Sequence, residues 1–529
     1  MQPTSIYAII AGSMVLLLIL LKLRQILLLI LMKLWQILLL GKTSFQIFVA
    51  RHITYPYVLG RYRLIGPWSR GISLIHITYI TTHVVIILFQ DRSLTGVRNS
   101  AGVLSLINLL LPLSSIHLSY LADILGLSLG NLRRLHRSMG WMSTGLLLLH
   151  IGASFLEQAP ERTIFNSLGW SPVIGGASLG LLVLLSLPTV RKLSYEVFLR
   201  LHQALAVLGF YGIWQHVPTT HLFPRFYVYL TLGCFATTLT MQFLTVLYQN
   251  GLFSGRGSPR AIVTCQPAAI MRNTSVTIKL TLPRPVKVLP GQYINIWLPS
   301  VSLGSWMQSH PLTVTSWAPE KQETFELLLQ PQKGQSASLY RQARAIDAAS
   351  SLSLMALWTG PHGITYSVEE YENVILIASD AGLAAVTPYI SMLIHGYNTR
   401  TMHIRRIHLI WQVEELEHLL NRLLKHDPSK NGHVLSISIY IERVEQDHGN
   451  LSLSSHDRVL LYEGIPDYDA IIASEFSGEA IAKSSIVRDE HGKTLVMVSS
   501  IETVRDRIRG MVTRYLSSNI SMVEMEYQP

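Results

Sequence analysis

Residues 135–150 read LHRSMGWMSTGLLLLH and residues 201–216 read LHQALAVLGFYGIWQH. Both segments are apolar enough to cross a membrane, yet each carries two histidines fourteen positions apart, His136 with His150 and His202 with His216. Ionisable groups within a span are costly to bury and are usually functional. Fourteen residues of α-helix rise about 21 Å and return to within about 40° of the starting face. Two such helices side by side therefore hold two stacked imidazole pairs, His136 with His202 and His150 with His216. Imidazole suits iron, and a haem with a histidine on each axial side has no open position, which favours electron transfer. A lone histidine in a span more commonly serves a polar network, and His76, His83, His117 and His221 are read that way. The matched pairs predict an α-helical membrane domain over residues 72–250 carrying two haems, with all four histidines as iron ligands.

Outward from these helices the chain divides. It has 529 residues, room for two or three domains, and its apolar runs lie before about residue 250 while its charges gather after it. A bilayer core of about 30 Å needs about 20 apolar residues per helix. That length predicts spans near 6–31, 72–90, 101–120, 135–156, 172–188, 199–217 and 226–248. The first lies within residues 1–45, read as a retained membrane anchor, because the apolar run is too long for a signal peptide and lacks a small-residue cleavage site. The net charge of +11 does not point to nucleic acid, since many basic residues sit between apolar segments. Lys42, Arg51, Arg61, Arg63 and Arg70 precede the second span, Arg133, Arg134 and Arg137 the fourth, and Arg191, Lys192 and Arg200 the sixth. These loops are expected in the cytosol, which places the chain after residue 250 there as well. Cys234 and Cys265 are the only cysteines, so neither a disulfide framework nor a thiolate metal site is available.

The soluble half has two characters. Residues 257–365 contain short β-rich runs, SVTIKLTLP and FELLLQP, punctuated by Pro and Gly, which predicts an antiparallel barrel. Residues 366–529 contain the apolar run NVILIAS, a turn of small residues and the helical pattern TPYISMLIHGY. With RRIHLIWQ and VLSISIYIE as further strands, this predicts a Rossmann-like parallel sheet.

Taken together, LRRLHRSMGW from Leu132, RKLSYEVFLRLH from Arg191, PGQYINIWLP from Pro290, QSHPLTVTSW from Gln308, GPHG from Gly360 and RRIHLIWQ from Arg405 resemble the fungal ferric reductase and metalloreductase family. That family sits in the superfamily that also contains NADPH oxidases, and the resemblance covers roughly residues 98–529. It implies a membrane haem domain followed by a ferredoxin-reductase-like module, a β-barrel FAD domain and then an α/β nicotinamide domain. His310, Pro311, Leu312 and Thr313 match the segment that lines the flavin in the family; without the resemblance, HPLT reads as an ordinary turn into a strand. Lys333, Gly334, Gln335 and Ser336 match its phosphate turn, where small residues let backbone N–H groups approach the pyrophosphate. For the nicotinamide nucleotide the resemblance implies Gly360, Gly363, Gly382, Thr387 and Pro388.

Two departures concern that last cofactor. Ser379 and Asp380 stand where the family's phosphate turn has glycines, and a carboxylate there repels a pyrophosphate. Ser499 and Ser500 stand in place of the family's Cys-Gly pair, while GIPDYDAII from Gly464 keeps its Gly-x-Pro-Asp character. The resemblance implies NADPH, whereas Glu414 and Glu415 after Trp411 better suit the free ribose hydroxyl of NADH. The implied function is a multi-pass plasma-membrane flavocytochrome b that passes electrons from a cytosolic nicotinamide through FAD and two b haems to an external acceptor such as chelated ferric or cupric ions. The alternatives are a superoxide-generating oxidase and a pseudo-reductase with impaired nicotinamide binding.

Overall fold

The computed structural model describes residues 42–61, 66–157, 169–191, 194–218, 222–252, 259–265, 276–302, 304–331, 334–345, 351–413, 434–442, 459–477, 492–516 and 519–527. The expected first span, His221, Lys333, Glu414 and Glu415 lie outside them. The chain forms two units: residues 1–121 with 130–242, and residues 122–129 with 243–529.

The first unit is helical. Its main elements are α1 (Arg70–Gln90), α2 (Leu94–Leu110), α3 (Leu118–Leu125), α4 (Leu129–Glu157), α5 (Trp170–Leu185), α6 (Tyr195–His216) and α7 (Leu222–Gln249), the ends of α3 and α7 passing into the second unit. Serines cap three of them: Ser69, Ser93 and Ser194 accept backbone N–H bonds from Ile72, Gly96 and Val197, satisfying donors that a helix start leaves free. Among the described residues, four helices are long and apolar enough to cross a membrane, Arg70–Phe89, Leu129–Glu157, Tyr195–His216 and Phe223–Gln249. α5 is apolar but only 16 residues long. The continuous span expected at 101–120 is not formed. α2 starts earlier and stops at Leu110, two residues before Pro112, which has no N–H to continue the helical bonding, and α3 begins only at Leu118.

Several polar side chains inside this unit are paired with one another, as an apolar medium favours. The hydroxyls of Ser105 on α2 and Ser143 on α4 lie 2.8 Å apart, and each also donates to the other's carbonyl. Asn108 Nδ2 donates to His83 Nε2 at 2.9 Å, and His76 Nε2 lies 2.9 Å from Ser138 Oγ. α5 and α6 meet at Gly175 and Gly212, where a Cβ on Gly212 would stand 2.5 Å from the Gly175 nitrogen. The missing side chains let the two backbones touch.

The second unit contains two β systems. The strands β1 (Arg260–Cys265), β2 (Val276–Val286), β3 (Tyr293–Trp297), β4 (His310–Thr313), β5 (Gln322–Leu329), β6 (Leu352–Met355) and β7 (Leu357–His362) form antiparallel sheets in the orders β5-β2-β1-β6 and β4-β3-β7. Alternate residues, Ile278 and Leu280 on β2, Phe325 and Leu327 on β5, Ile294 and Ile296 on β3, with Trp358, fill one core between them. Helix α8 (Gln335–Arg344) follows β5. Next come β8 (Asn373–Ser379), helix α9 (Leu383–Asn398), β9 (Arg406–Val413), β10 (Leu435–Ile441), β11 (Val459–Glu463), helix α10 (Tyr468–Ser477), β12 (Thr494–Ser499), helix α11 (Glu502–Tyr515) and β13 (Ile520–Glu524). These six strands are parallel, in the order β11-β10-β9-β8-β12-β13. β8 is buried along nearly its whole length, which explains its unbroken apolar sequence.

Candidate functional site

In the first unit the four histidines of the opening motif meet as two pairs across α4 and α6. The ring centres of His136 and His202 are 6.0 Å apart, and those of His150 and His216 are 6.2 Å apart. A metal ion between two imidazoles lies about 2 Å from each nitrogen, which puts the ring centres roughly 6 Å apart. Each gap thus has the width of one metal ion with a histidine on either side. Further contacts orient the rings. His150 Nδ1 donates to the Arg98 carbonyl at 2.9 Å, which fixes the tautomer and leaves Nε2 without a proton. A Cβ on Gly102 of α2 would lie 2.9 Å from that same Nδ1, so a larger residue there would push the ring. His202 Nδ1 lies 3.4 Å from Ser186 Oγ, and Nδ1 of His136 is buried with no hydrogen-bond partner. Beyond His150, Arg98 pairs with Glu157, and Thr95 donates to Glu157 at 2.5 Å, tying the start of α2 to the end of α4.

In the second unit β3 is the common support for the residues expected at the flavin. His310, Pro311, Leu312 and Thr313 are the four residues of β4, paired with Ile296, Asn295, Ile294 and Tyr293 of β3. Leu312 lies in the core, and Thr313 Oγ1 donates to the Tyr527 carbonyl at 2.7 Å. Gly334 caps α8 with a φ of +74°, Ser336 lies in the first turn of that helix, and Gln335 reaches back to the Leu298 carbonyl just past β3. A helix N-terminus with a left-handed glycine suits an anion.

The residues expected at the nicotinamide nucleotide separate into groups. Gly382 ends the turn between β8 and α9, and a Cβ there would fall 2.0 Å from the Ser499 carbonyl. Thr387 and Pro388 are buried within α9, with Thr387 Oγ1 donating to the Leu383 carbonyl at 2.7 Å. Gly360 and Gly363 lie at the end of β7, where Gln249 and Asp123 take their backbone N–H groups. Spacing along one sequence cannot separate a glycine held by protein from one open to a ligand.

The altered residues do converge on the sheet's crevice. The chain runs from β8 outward through β9, β10 and β11, then returns to β12 on the other side, so β8 and β12 flank the switch point where open α/β sheets bind ligands. At their C-terminal ends stand Ser379, Asp380, Ser499 and Ser500. Ser379 Oγ accepts the Ile501 N–H at 2.8 Å, while the hydroxyls of Ser499 and Ser500 are buried without a partner. Asp380 adopts a φ of +42°, conformational territory that glycine enters without cost. Burial, and after it the Asp380 carboxylate, push the Tyr527 phenol above its ordinary value.

Residues 101–213 match the family model for the ferric reductase like transmembrane component, and residues 263–366 match that for an FAD-binding domain. The chain thus carries a ferric reductase like transmembrane segment followed by an FAD-binding segment. It is 24% identical over 379 residues to ferric reductase transmembrane component 3 of Saccharomyces cerevisiae, covering 65% of this chain and 50% of that protein. It is 22% identical over 319 residues to the probable cell surface ferric reductase kap2 of Aspergillus oryzae, covering 56% and 40%. Ferric/cupric reductase transmembrane component 2 of Saccharomyces cerevisiae is 26% identical over 306 residues, covering 56% and 40%. The chain thus spans half or less of the length of these relatives. A flavohemoglobin structure from Malassezia yamatoensis aligns with 83% of this chain and 99% of its own at 13% identity, with a TM-score of 0.37. The transmembrane match and the four long apolar helices make it a membrane protein, and the second match gives it an FAD-binding domain.

Gly382→Ala is expected to destabilise the second unit by about 1–3 kcal/mol, the usual cost of overpacking. A lowered thermal transition in calorimetry of the detergent-solubilised chain checks this, and an unchanged transition contradicts the close approach to Ser499.

Proposed function

We propose that the protein is a transmembrane flavocytochrome b metalloreductase, carrying electrons from a cytosolic nicotinamide through FAD and two b haems to an external acceptor such as chelated ferric or cupric ions. The observation that carries this reading is the pair of facing imidazoles, repeated at two levels of the same two helices. Among the described residues no group of three or more His, Cys, Asp or Glu could hold a metal. An iron held between two such imidazoles would take its remaining ligands from a macrocycle, which would supply one-electron transfer. His136 with His202, and His150 with His216, would hold the two haem irons, and the Arg98 carbonyl, by taking His150 Nδ1–H, would leave Nε2 of that ring available as the ligand. When bound, FAD supplies the exchange between a two-electron hydride donor and the one-electron haems.

The chain's own residues do the placing. β4 and the N-terminus of α8, both anchored on β3, hold the flavin and its pyrophosphate, with Gly334 leaving room for the phosphates and the Ser336 hydroxyl beside them. The crevice between β8 and β12 receives the nicotinamide nucleotide, NADPH by resemblance to the family, with Gly382 letting the turn close on Ser499. The unpartnered hydroxyls of Ser499 and Ser500 are free to bind its polar groups. A specific observation favours a weak nucleotide site: Asp380 holds a carboxylate at the place of the pyrophosphate. The deciding experiment is reduction of an externally added ferric chelate by cells expressing the chain, with superoxide measured in parallel. Ferric reduction without superoxide supports the metalloreductase, and superoxide alone supports an oxidase.

Two variants test the parts. His150→Ala should leave one haem per chain in a pyridine haemochrome assay, and a count of two would contradict axial ligation by His150. Asp380→Gly removes like-charge crowding of about 1–3 kcal/mol at roughly 5 Å and an effective dielectric of about 20 to 40. Its KM for the nicotinamide should fall by about five- to 150-fold, and an unchanged or higher KM would mean that the turn does not receive the pyrophosphate.

A further inference from the structure

The parallel sheet sets three C-terminal strand ends in a row beside its switch point. Gln412 of β9 stands level with Ser379 of β8, and Glu442 follows the last residue of β10, the next strand over. Neighbouring strands lie about 4.8 Å apart, so these two residues are one and two strand spacings from the strand that leads into the Asp380 turn. A chain of hydrogen bonds joins them. The Tyr468 hydroxyl, at the start of α10, donates to Gln412 Oε1 at 2.5 Å, and Gln412 Nε2 donates to Glu442 Oε1. Tyr468 and Gln412 are buried, whereas Glu442 is exposed. Burial, and after it the Glu442 carboxylate, push the Tyr468 phenol above its ordinary value, so its hydroxyl stays protonated and remains the donor. A donor at that end settles which way the Gln412 amide points, its oxygen to Tyr468 and its nitrogen to Glu442. The relay thus aims an exposed carboxylate from a buried base.

The rim around Glu442 is unsuited to a phosphate. Among the described residues, the charged groups at the C-terminal ends of β8, β9, β10 and β11 and in the turn into α10 are Asp380, Glu442, Glu463 and Asp467, all acidic. The start of α10, where backbone N–H groups could take an anion, is capped by the chain itself: Asp467 Oδ1 accepts the Ala470 N–H at 3.3 Å. On α11, Arg507 pairs with Asp469 at 3.0 Å, and Arg505 and Arg509 pair with Glu524.

We propose that Glu442, with Gln412 and Tyr468 as its positioning residues, makes the nucleotide site select NADH over NADPH. The inference rests on the reading of the crevice between β8 and β12 as the nicotinamide site, and it replaces the phosphorylated nucleotide that the family resemblance implies. The two nucleotides differ in one group, a hydroxyl or a phosphate on the 2′ carbon of the adenosine ribose, next to the pyrophosphate. A carboxylate accepts a hydrogen bond from that hydroxyl, whereas a phosphate monoester brings about 1.5 to 2 negative charges against it. Selection of one partner over another uses such a repulsive element as well as an attractive one. Asp380 acts differently, because the pyrophosphate is common to both nucleotides and its carboxylate weakens both alike.

The test uses the purified full chain loaded with haem and FAD, and follows anaerobic bleaching of the flavin by NADH and by NADPH. In the parent the second-order rate constant for NADH should exceed that for NADPH by about tenfold or more, the scale of a like-charge penalty at a recognition site. Glu442→Gln keeps the shape and removes the charge, and it should raise the NADPH rate by about tenfold while the NADH rate falls or stays level. Tyr468→Phe removes the donor that sets the Gln412 amide and should narrow the ratio of the two rates, whereas a merely structural loss lowers both alike. Asp380→Gly should raise both rates and leave their ratio within about twofold, as independent sites do. Parity or a preference for NADPH in the parent overturns the proposal, as does an unchanged ratio in Glu442→Gln or Tyr468→Phe. Because Glu442 is exposed, its variant keeps the test open if Tyr468→Phe misfolds. If dithionite bleaches the parent flavin but neither nucleotide does, the nicotinamide reading fails first and the selectivity fails with it.

Discussion

Two imidazoles brought to about 6 Å from one another across a pair of apolar helices constrain everything around them. Their ring nitrogens cannot turn to water, so each ring must be aimed by protein or by a metal. His150 shows how that is done: the Arg98 carbonyl takes one nitrogen, Gly102 leaves the room, and the ion pair of Arg98 with Glu157 holds the neighbouring helix ends. The approach of α5 to α6 at Gly175 and Gly212 belongs to the same scheme, since it settles where α6 stands in its unit. The paired serines of α2 and α4 lie on the histidine face of α4, Ser143 standing midway between His136 and His150, and bond one another's carbonyls.

The second unit poses a different problem, since it contains two kinds of sheet, one antiparallel and one parallel. β3 is central to the first, because β4, β7 and the Gln335 anchor all attach to it or just beyond it. The switch point beside β8 is central to the second. There the sequence has exchanged glycine for Asp380 while keeping the fold of the turn, and the positive φ of Asp380 shows that the backbone still follows a course suited to glycine. The turn therefore retains its shape and changes its charge, a change that acts on affinity for an anion rather than on the sheet.

Several elements were legible before any coordinates. The fourteen-residue histidine spacing predicts the two facing pairs, since helix geometry alone brings both histidines of one helix to one face. NVILIAS, RRIHLIWQ and VLSISIYIE predict parallel strands, since a strand covered on both faces has no polar alternation. Other features were not, for definite reasons. The run at 101–120 looked like a span by hydropathy, but α2 stops at Leu110, two residues before Pro112. The burial of Leu383–Ile390 around the whole start of α9, with Thr387 and Pro388 in it, has no amphipathic periodicity to announce it.

What the sequence by itself determined is everything governed by local periodicity: which segments are helices or strands, which faces are apolar, and which histidines share a face. Only the tertiary structure decided how residues far apart in the chain are used. Asp123 meets His362, Asn250 clasps Trp358 and Ser499 closes against Gly382 through side-chain and backbone approaches with no signature along the chain. A hydrogen bond depends on a distance of a few tenths of an ångström and on direction, and those follow from packing the whole unit rather than from the identity of the two residues.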